Sequence, residues 1–323
     1  MIRVNAAIVE RTIDIEGLRT RYLTAGSGPP LVLVHGVGTS AGEWSWVLPA
    51  LARSHLVYAI DLPGFDSSAR PPDYSPAFSA RFLSAFLDAL EVERPVVLGN
   101  SLGGLVALHL ALSEPERVCA LVLSDSAGLG RAVNPAQAVL SSPGGGELAA
   151  TWAKTPAGAT ERAFQRGLLL FARPWQIPPK WLEDQYRLAQ MPNFMEATLA
   201  SLRANIGVAG QRDVLVDQLP RLTMPTLIVW GVEDRVFPYW QGKEAVSRLQ
   251  EGSFELLPDC GHLPHVEQPR LFASIVGQFL GEMSSSGDAS GSGPIEFEGG
   301  RGREEETGRR DRAANNLKRK DHR

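Results

Sequence analysis

Residues 95–104 read PVVLGNSLGG. An apolar run, Pro95 to Leu98, meets Gly99-Asn100-Ser101-Leu102-Gly103, and a helical pattern follows at once. Strand, sharp turn and helix in direct succession are the context that a G-x-S-x-G turn requires. The serine must stand at the tip of a tight, strained turn, where side chains two residues to either side would collide. Gly99 and Gly103 remove those side chains, and Gly104 lets the helix pack close to the strand. The Ser101 hydroxyl then projects outward, and the Leu102 N–H sits at a helix N-terminus, suited to holding negative charge.

Outward from this stretch, the chain alternates strands with helices. Upstream, runs at Thr12–Ile15 and Thr20–Thr24 joined through Glu16-Gly17 predict an antiparallel hairpin. Leu31 to Val34 and Leu56 to Ile60 are continuous apolar runs, as in strands buried on both faces. Helices are expected over Trp46–Arg53, Ser79–Leu90 and Leu102–Leu112, with a further strand at Val118–Leu123. From about Gly128 to Arg212 the alternation stops, and the chain becomes helical and aromatic. It resumes with strands at Thr226–Trp230 and Ser253–Leu257 and helices at Tyr239–Leu249 and Arg270–Gly281. The pattern predicts an α/β fold, a doubly wound, mostly parallel sheet, with a helical lid inserted at about 128–212 of a domain spanning 1–283. Residues 284–323 lose all apolar periodicity and read as a disordered charged tail. Its Lys-Arg-Lys at 318–320 is a possible address or nucleic-acid contact, set against a solvated tail without function.

The 323 residues carry a formal net charge of −4, which argues against a nucleic-acid surface as the main business. No apolar run approaches the roughly 18 residues of a membrane span, and the N-terminus is interrupted by charge too often for a secretory signal. Cys119 and Cys260 are too few and too far apart for a metal site or a disulfide framework. A reduced, cytoplasmic compartment is expected, with no metal and no cofactor.

A serine hydroxyl is a poor nucleophile until a base takes its proton and a third group orients that base. Ser101 therefore predicts an acid and then a histidine at later strand ends. After the strand ending at Trp230 the chain reads GVEDRVFP, and after Leu257, in DCGHLPH, stands His262. Asp234 is preferred as the acid over Glu233, which would point differently from a tight turn, and over Asp125, which follows the strand after Ser101. His262, beside Gly261, is preferred over His265, which would face the lid or the solvent. The backbone N–H groups of Val37 and Leu102 are the candidate oxyanion donors. His35 and Asp61 are read as loop-bracing residues.

HGxG after a strand, DLPGF, GNSLGG, GVEDRVFP and CGHLPHVEQP, in this order, resemble the α/β-hydrolase superfamily over residues 10–281. Asn100-Ser101 and the segment Trp175–Met191 are similar to hydrolases that cleave carbon–carbon bonds in ring-fission products. Those enzymes carry a tryptophan after the catalytic histidine, where this chain has Leu263. They also place an arginine on the lid helix to hold a substrate carboxylate, where this chain has Gln185, with Arg187 nearby. Asp66 stands where a glycine is usual. Cofactor-free perhydrolases share the serine, whereas epoxide and haloalkane hydrolases place an aspartate at the Ser101 position and are disfavoured.

The resemblance implies hydrolysis of a small hydrophobic carboxylic ester through an acyl-enzyme, by Ser101, His262 and Asp234. The alternatives are carbon–carbon bond hydrolysis of a vinylogous diketone acid and a non-catalytic ligand-binding protein on the same fold. A small ester or related carbonyl compound is the expected partner.

Overall fold

The computed structural model describes residues 7–289, with side chains to Met283. Strands β1 (Val9–Ile15) and β2 (Leu18–Ala25) form the expected hairpin around Glu16-Gly17. They join β3 (Pro30–Val34), β4 (Leu56–Ile60), β5 (Val96–Asn100), β6 (Ala120–Ser124), β9 (Thr226–Gly231) and β10 (Gly252–Leu257) in one eight-stranded sheet. Its order is β1-β2-β4-β3-β5-β6-β9-β10. The pairs β1/β2 and β2/β4 are antiparallel and every other pair is parallel. A separate two-residue ladder joins β7 (Ile206–Gly207) to β8 (Gly210–Gln211).

The central strands are apolar throughout because both faces are covered. Val32, Val34, Val97, Leu121, Leu123, Ile228 and Trp230 enter one core with α2 (Pro76–Ala89) and α3 (Leu102–Ser113). Their alternating neighbours Leu31, Leu33, Val96, Leu98, Val122, Leu227 and Val229 enter a second core with α1 (Leu48–Leu51) and α11 (Pro269–Ala289). The period of two sends successive side chains to opposite layers, the arrangement of a doubly wound sheet. Helix α3 is apolar all round and buried along most of its length, as suits a helix wedged between strand and neighbouring helix.

Two expected helices are shorter than their sequence patterns. Trp46–Arg53 reduces to α1, with a 3₁₀ turn over Ala41–Trp46 before it. Tyr239–Leu249 divides into α9 (Trp240–Ala245) and a 3₁₀ turn. Between β6 and β9 lie α4 (Pro135–Ser141), α5 (Gly145–Ala153), α6 (Pro156–Leu170), α7 (Pro179–Ala189) and α8 (Phe194–Asn205). The short α10 (Pro264–Glu267) precedes α11. Helix α11 runs past Ser284, where the sequence pattern starts the tail. The rest of that tail, with Lys-Arg-Lys at 318–320, lies outside the described residues. Among the described residues no helix is long and apolar enough to cross a membrane.

Candidate active site

The parallel strands β3, β5, β6, β9 and β10 end on one edge of the sheet, and Val37, Ser101, Asp125, Asp234 and His262 each follow one of these ends. Ser101, between β5 and α3, has φ 55° and ψ −117°, a strained conformation for a residue with a side chain. The close packing behind it is severe. A Cβ on Gly103 would lie 2.0 Å from the Val34 carbonyl oxygen, and one on Gly99 would lie 2.2 Å from the Gly103 backbone.

His262 Nδ1 lies 2.9 Å from Asp234 Oδ2, with both side chains buried. Asp234 is held by four donors. Oδ1 accepts from the Val236 and Phe237 N–H groups at 2.7 and 3.2 Å, and Oδ2 accepts from Trp230 Nε1 at 3.1 Å as well as from His262. An ionised acceptor there makes Nδ1 the protonated ring nitrogen and leaves Nε2 as the basic one. Ser101, His262, Val37 and Leu102 line one cavity of about 450 Å³. Among the described residues no hydrogen bond yet joins Ser101 Oγ to His262, and none occupies the N–H of Val37 or Leu102. Resting-state contacts of this kind commonly tighten only when substrate is bound.

The rival residues occupy other positions. Asp125 Oδ1 accepts from the Gly231 N–H at 2.9 Å, and Oδ2 accepts from Ser124 Oγ at 3.0 Å. Burial, reinforced by nearby Asp234, pushes the Asp125 carboxyl well above its usual range. One ligand-capable atom from each of Asp125, Asp234 and His262 lies within 4.8 Å of the others. Their contacts to backbone, indole and hydroxyl donors account for this clustering without an ion. Glu233 points away and accepts from the Cys260 N–H.

His265 differs from expectation. It is buried against Trp44, ring centroids 4.3 Å apart, and its Nε2 lies 3.6 Å from Glu43 Oε2, so it does not face solvent. The turn of α10 swings it under the sheet edge. His35 braces its loop, with Nδ1 bonded to the Gly36 carbonyl at 2.7 Å and Nε2 accepting from the Leu62 N–H at 3.0 Å. Burial lowers its pKa to about 4, so the ring is neutral. Asp61 accepts from the Ala41 N–H and from Arg21, again as a brace.

Four further residues shape the cavity, and all but Asn100 escaped sequence reasoning. Asn100 Nδ2 donates to the carbonyls of Ser124 and His262 at 3.2 and 3.1 Å, tying the serine turn to the histidine loop. Glu43 accepts from Trp181 Nε1 at 2.9 Å, linking the sheet edge to α7. Arg162 and Arg166, one turn apart on α6, donate to the Gly38 and Val37 carbonyls at 3.1 and 3.2 Å. Neither guanidinium forms an ion pair among the described residues, and Arg166 Nε is buried without a partner. Protein surrounds both guanidiniums, and their remaining exposure opens to the cavity. Burial, with Arg166 beside it, drives the Arg162 pKa down, and burial does the same at Arg166 despite the charge of Glu43. An arginine does not give up its proton at such a site. The cost persists as unneutralised positive charge. The only sequence signal was a pair of arginines spaced i,i+4 on a helix otherwise rich in apolar residues.

Arg187 does not reach the cavity. It pairs with Asp66 at 2.8 Å, and Asp66 takes the left-handed φ of 47° that a glycine would adopt there without strain. Gln185 is buried, and its Oε1 lies 3.3 Å from Arg162 Nη1. Leu263 lines the cavity wall.

The comparisons agree with this architecture. The chain is 32% identical over 297 residues to the 2-hydroxymuconate semialdehyde hydrolase of Pseudomonas sp. (strain CF600), covering 87% of this chain and 97% of the relative. A crystal structure of a serine hydrolase involved in carbazole degradation superposes with a TM-score of 0.70 at 28% identity, covering 85% of this chain and 99% of that one. A crystal structure of a membrane phospholipase A gives a TM-score of 0.72 at 28% identity over 86% of this chain and 87% of that one. The family model for the alpha/beta hydrolase fold matches residues 29–269, and the chain belongs to that family of enzymes.

Proposed function

We propose that the chain hydrolyses the carbon–carbon bond beside a ketone in an acidic vinylogous diketone, a ring-fission product of the class its relatives are named for. The observation that carries this reading over simple ester cleavage is the Arg162–Arg166 pair. Two half-buried guanidiniums that line the cavity holding Ser101 and form no ion pair among the described residues, with only the charge of Glu43 nearby, suit a substrate that brings its own anion. The 32% identity to a semialdehyde hydrolase over nearly the whole of that relative points the same way.

In this reading His262 Nε2 accepts the Ser101 proton as Oγ attacks the ketone carbon, and Asp234 holds the imidazole and stabilises the imidazolium. The N–H groups of Val37 and Leu102 receive the oxyanion. The 2-hydroxyl proton first passes to the carbon beside the ketone, so that cleavage leaves the acyl group on Ser101 and expels the other fragment as a dienolate, which takes a proton at oxygen from the His262 imidazolium and departs as the 2-hydroxydienoate. The guanidiniums stabilise the extra negative charge of that fragment. Water, deprotonated by His262, then releases the carboxylic acid. The net change is addition of H and OH across one carbon–carbon bond. Helices α4–α8 act as the lid.

Hydrolysis of a hydrophobic carboxylic ester on the same residues is the second reading. It is favoured by the apolar wall of Leu102, Leu105, Met195, Leu199, Leu202 and Leu263. Comparing kcat/KM for 2-hydroxy-6-oxohepta-2,4-dienoate and 4-nitrophenyl butanoate tests the choice. A higher value for the dienoate supports carbon–carbon cleavage, and turnover of the ester alone supports the second reading.

A further inference from the structure

Some side chains that line the cavity are also open to bulk solvent. They are Ala136 and Leu140 on α4, Trp152 on α5, and Glu161 and Gln165 on α6. A residue that belongs to both surfaces marks an opening, so the mouth lies between these three helices. On α6 the spacing sorts the faces. Arg162, Arg166 and Leu169 turn toward the cavity, Glu161 and Gln165 stand at its lip, and Phe164 and Leu168 point outward.

Large apolar side chains are exposed on the three helices around this mouth. Leu148 is 75% exposed, Val139 65%, Leu168 57%, Phe164 55% and Trp152 50%. Leu148 and Trp152 are one turn apart on α5, as are Phe164 and Leu168 on α6. Trp152 Nε1 donates to Glu161 Oε2 at 2.7 Å and joins the two helices at the lip. That bond satisfies the indole's only donor and leaves its ring as apolar surface. Of the 15 large apolar side chains exposed among the described residues, six stand on α4, α5 and α6. Scattered surface apolars need no explanation, but a collar of six on the three helices that frame one opening does.

We infer that the site takes an amphiphile, whose acidic reacting end sits between Ser101 and the Arg162–Arg166 pair and whose apolar arm leaves through the mouth and lies along Leu140, Leu148, Trp152, Phe164 and Leu168. The occupant is the substrate's own arm because Leu140 and Trp152 belong at once to the cavity wall and to the exposed surface, so apolar side chains connect the cavity that holds Ser101 with the outside. The cationic end and the apolar end of that surface complement the two ends of a single molecule. The inference rests on the proposed reading only for the acidic end, and it adds that the group released as an acid carries a long or bulky apolar arm.

The test is calorimetric binding of straight-chain alkanoates, butanoate to dodecanoate, each below its micelle concentration. Burying one methylene is worth about fourfold in affinity when fully enclosed, and roughly twofold is expected on a one-sided collar. Affinity for the wild type is expected to rise with every added carbon through dodecanoate. In Leu148→Ser/Phe164→Ser/Leu168→Ser the rise stops at a shorter chain, and dodecanoate binds about tenfold or more weakly than to the wild type. Leu271→Ser, an exposed apolar residue on α11, keeps the wild-type series. A wild-type series that levels off before decanoate overturns the inference, as does a triple variant that keeps the full rise, or no alkanoate binding at all. Dienoate cleavage is measured separately. Cleavage with a flat series rejects the amphiphile alone, and a rising series without cleavage rejects the carbon–carbon reading alone.

Discussion

Arg162 donates to both oxygens of Gln185, the main-chain carbonyl at 3.2 Å and the side-chain Oε1 at 3.3 Å. The resemblance to carbon–carbon hydrolases expects an arginine at position 185, on α7. Here the guanidinium arrives from α6 and the position-185 side chain orients it. The positive charge at the cavity wall thus comes from α6, next to position 185. Arg162→Met should therefore lower kcat/KM for an acidic dienoate by about 10- to 100-fold, the value of a charged hydrogen bond in a buried site. The drop for a neutral nitrophenyl ester should be much smaller. Equal losses on both substrates would show that Arg162 supports the fold of the cavity and not recognition of an anion.

Asp234→Asn is expected to cost about three to four orders of magnitude in kcat. Three contacts of this carboxylate are fixed N–H donors and the fourth is His262 Nδ1, so an amide would turn its NH₂ to the ring and hold the proton on Nε2, the tautomer that cannot act as base. Asp125 cannot take over, because its oxygens are engaged by the Gly231 N–H and Ser124 Oγ and burial holds it toward the neutral acid. Steady-state kinetics of Asp234→Asn and Asp125→Asn decide this. Near-wild-type turnover by the Asp234 variant would give the acid's role to Asp125.

Gly103→Ala should destabilise the fold by about 3 kcal/mol or more, because its Cβ would meet the fixed Val34 carbonyl at 2.0 Å and neither backbone can yield. Gly277→Ala on α11 has nothing within 4 Å and should stabilise by about 0.5–1 kcal/mol through helix propensity. Denaturant midpoints of the two variants check both signs. A tolerated Gly103→Ala would mean that α3 does not approach β3 as closely as described.

Acid stability should carry the mark of His35. Its folded pKa is lowered to about 4, chiefly by burial, against an ordinary value near 6.5. The unfolded chain binds the proton more readily, so stability present above pH 6.5 is lost as pH falls toward 4, about 3 kcal/mol in all. Asp61 and Glu267 act with the opposite sign. Burial raises both to about 7, so the folded state holds their protons and loses stability as pH rises from about 4 to 7. The His35 contribution is therefore read as a difference. The stability gap between wild type and His35→Gln should narrow by about 2–3 kcal/mol between pH 7.5 and 4.5. A gap constant with pH would contradict a neutral, buried His35.

The sheet was legible because its central strands are covered on both faces, which forces unbroken runs such as Leu31–Val34 and Val96–Leu98. The serine turn was legible because its glycines answer backbone clashes that any sequence folding this way must avoid. Helix ends were less so. Pro49 and the 3₁₀ turn before it cut α1 short, although the apolar pattern continues to Arg53. Glu43, Arg162, Arg166 and Gln185 were not legible as a group. They stand on three separate elements and meet only because α6 and α7 dock over the sheet edge, a long-range event with no local pattern. His265 is buried against Trp44 and Phe272, contacts that its place three residues past His262 gives no reason to expect.

Opening of a carbon–carbon bond by Ser101 in an acidic diketone is tested by product analysis of 2-hydroxy-6-oxohepta-2,4-dienoate incubated with wild type and with Ser101→Ala. The wild type is expected to give one equivalent each of acetate and 2-hydroxypenta-2,4-dienoate, and the alanine variant neither above background. A dienoate left intact by a wild type that cleaves nitrophenyl esters, or equal product from both proteins, would contradict it.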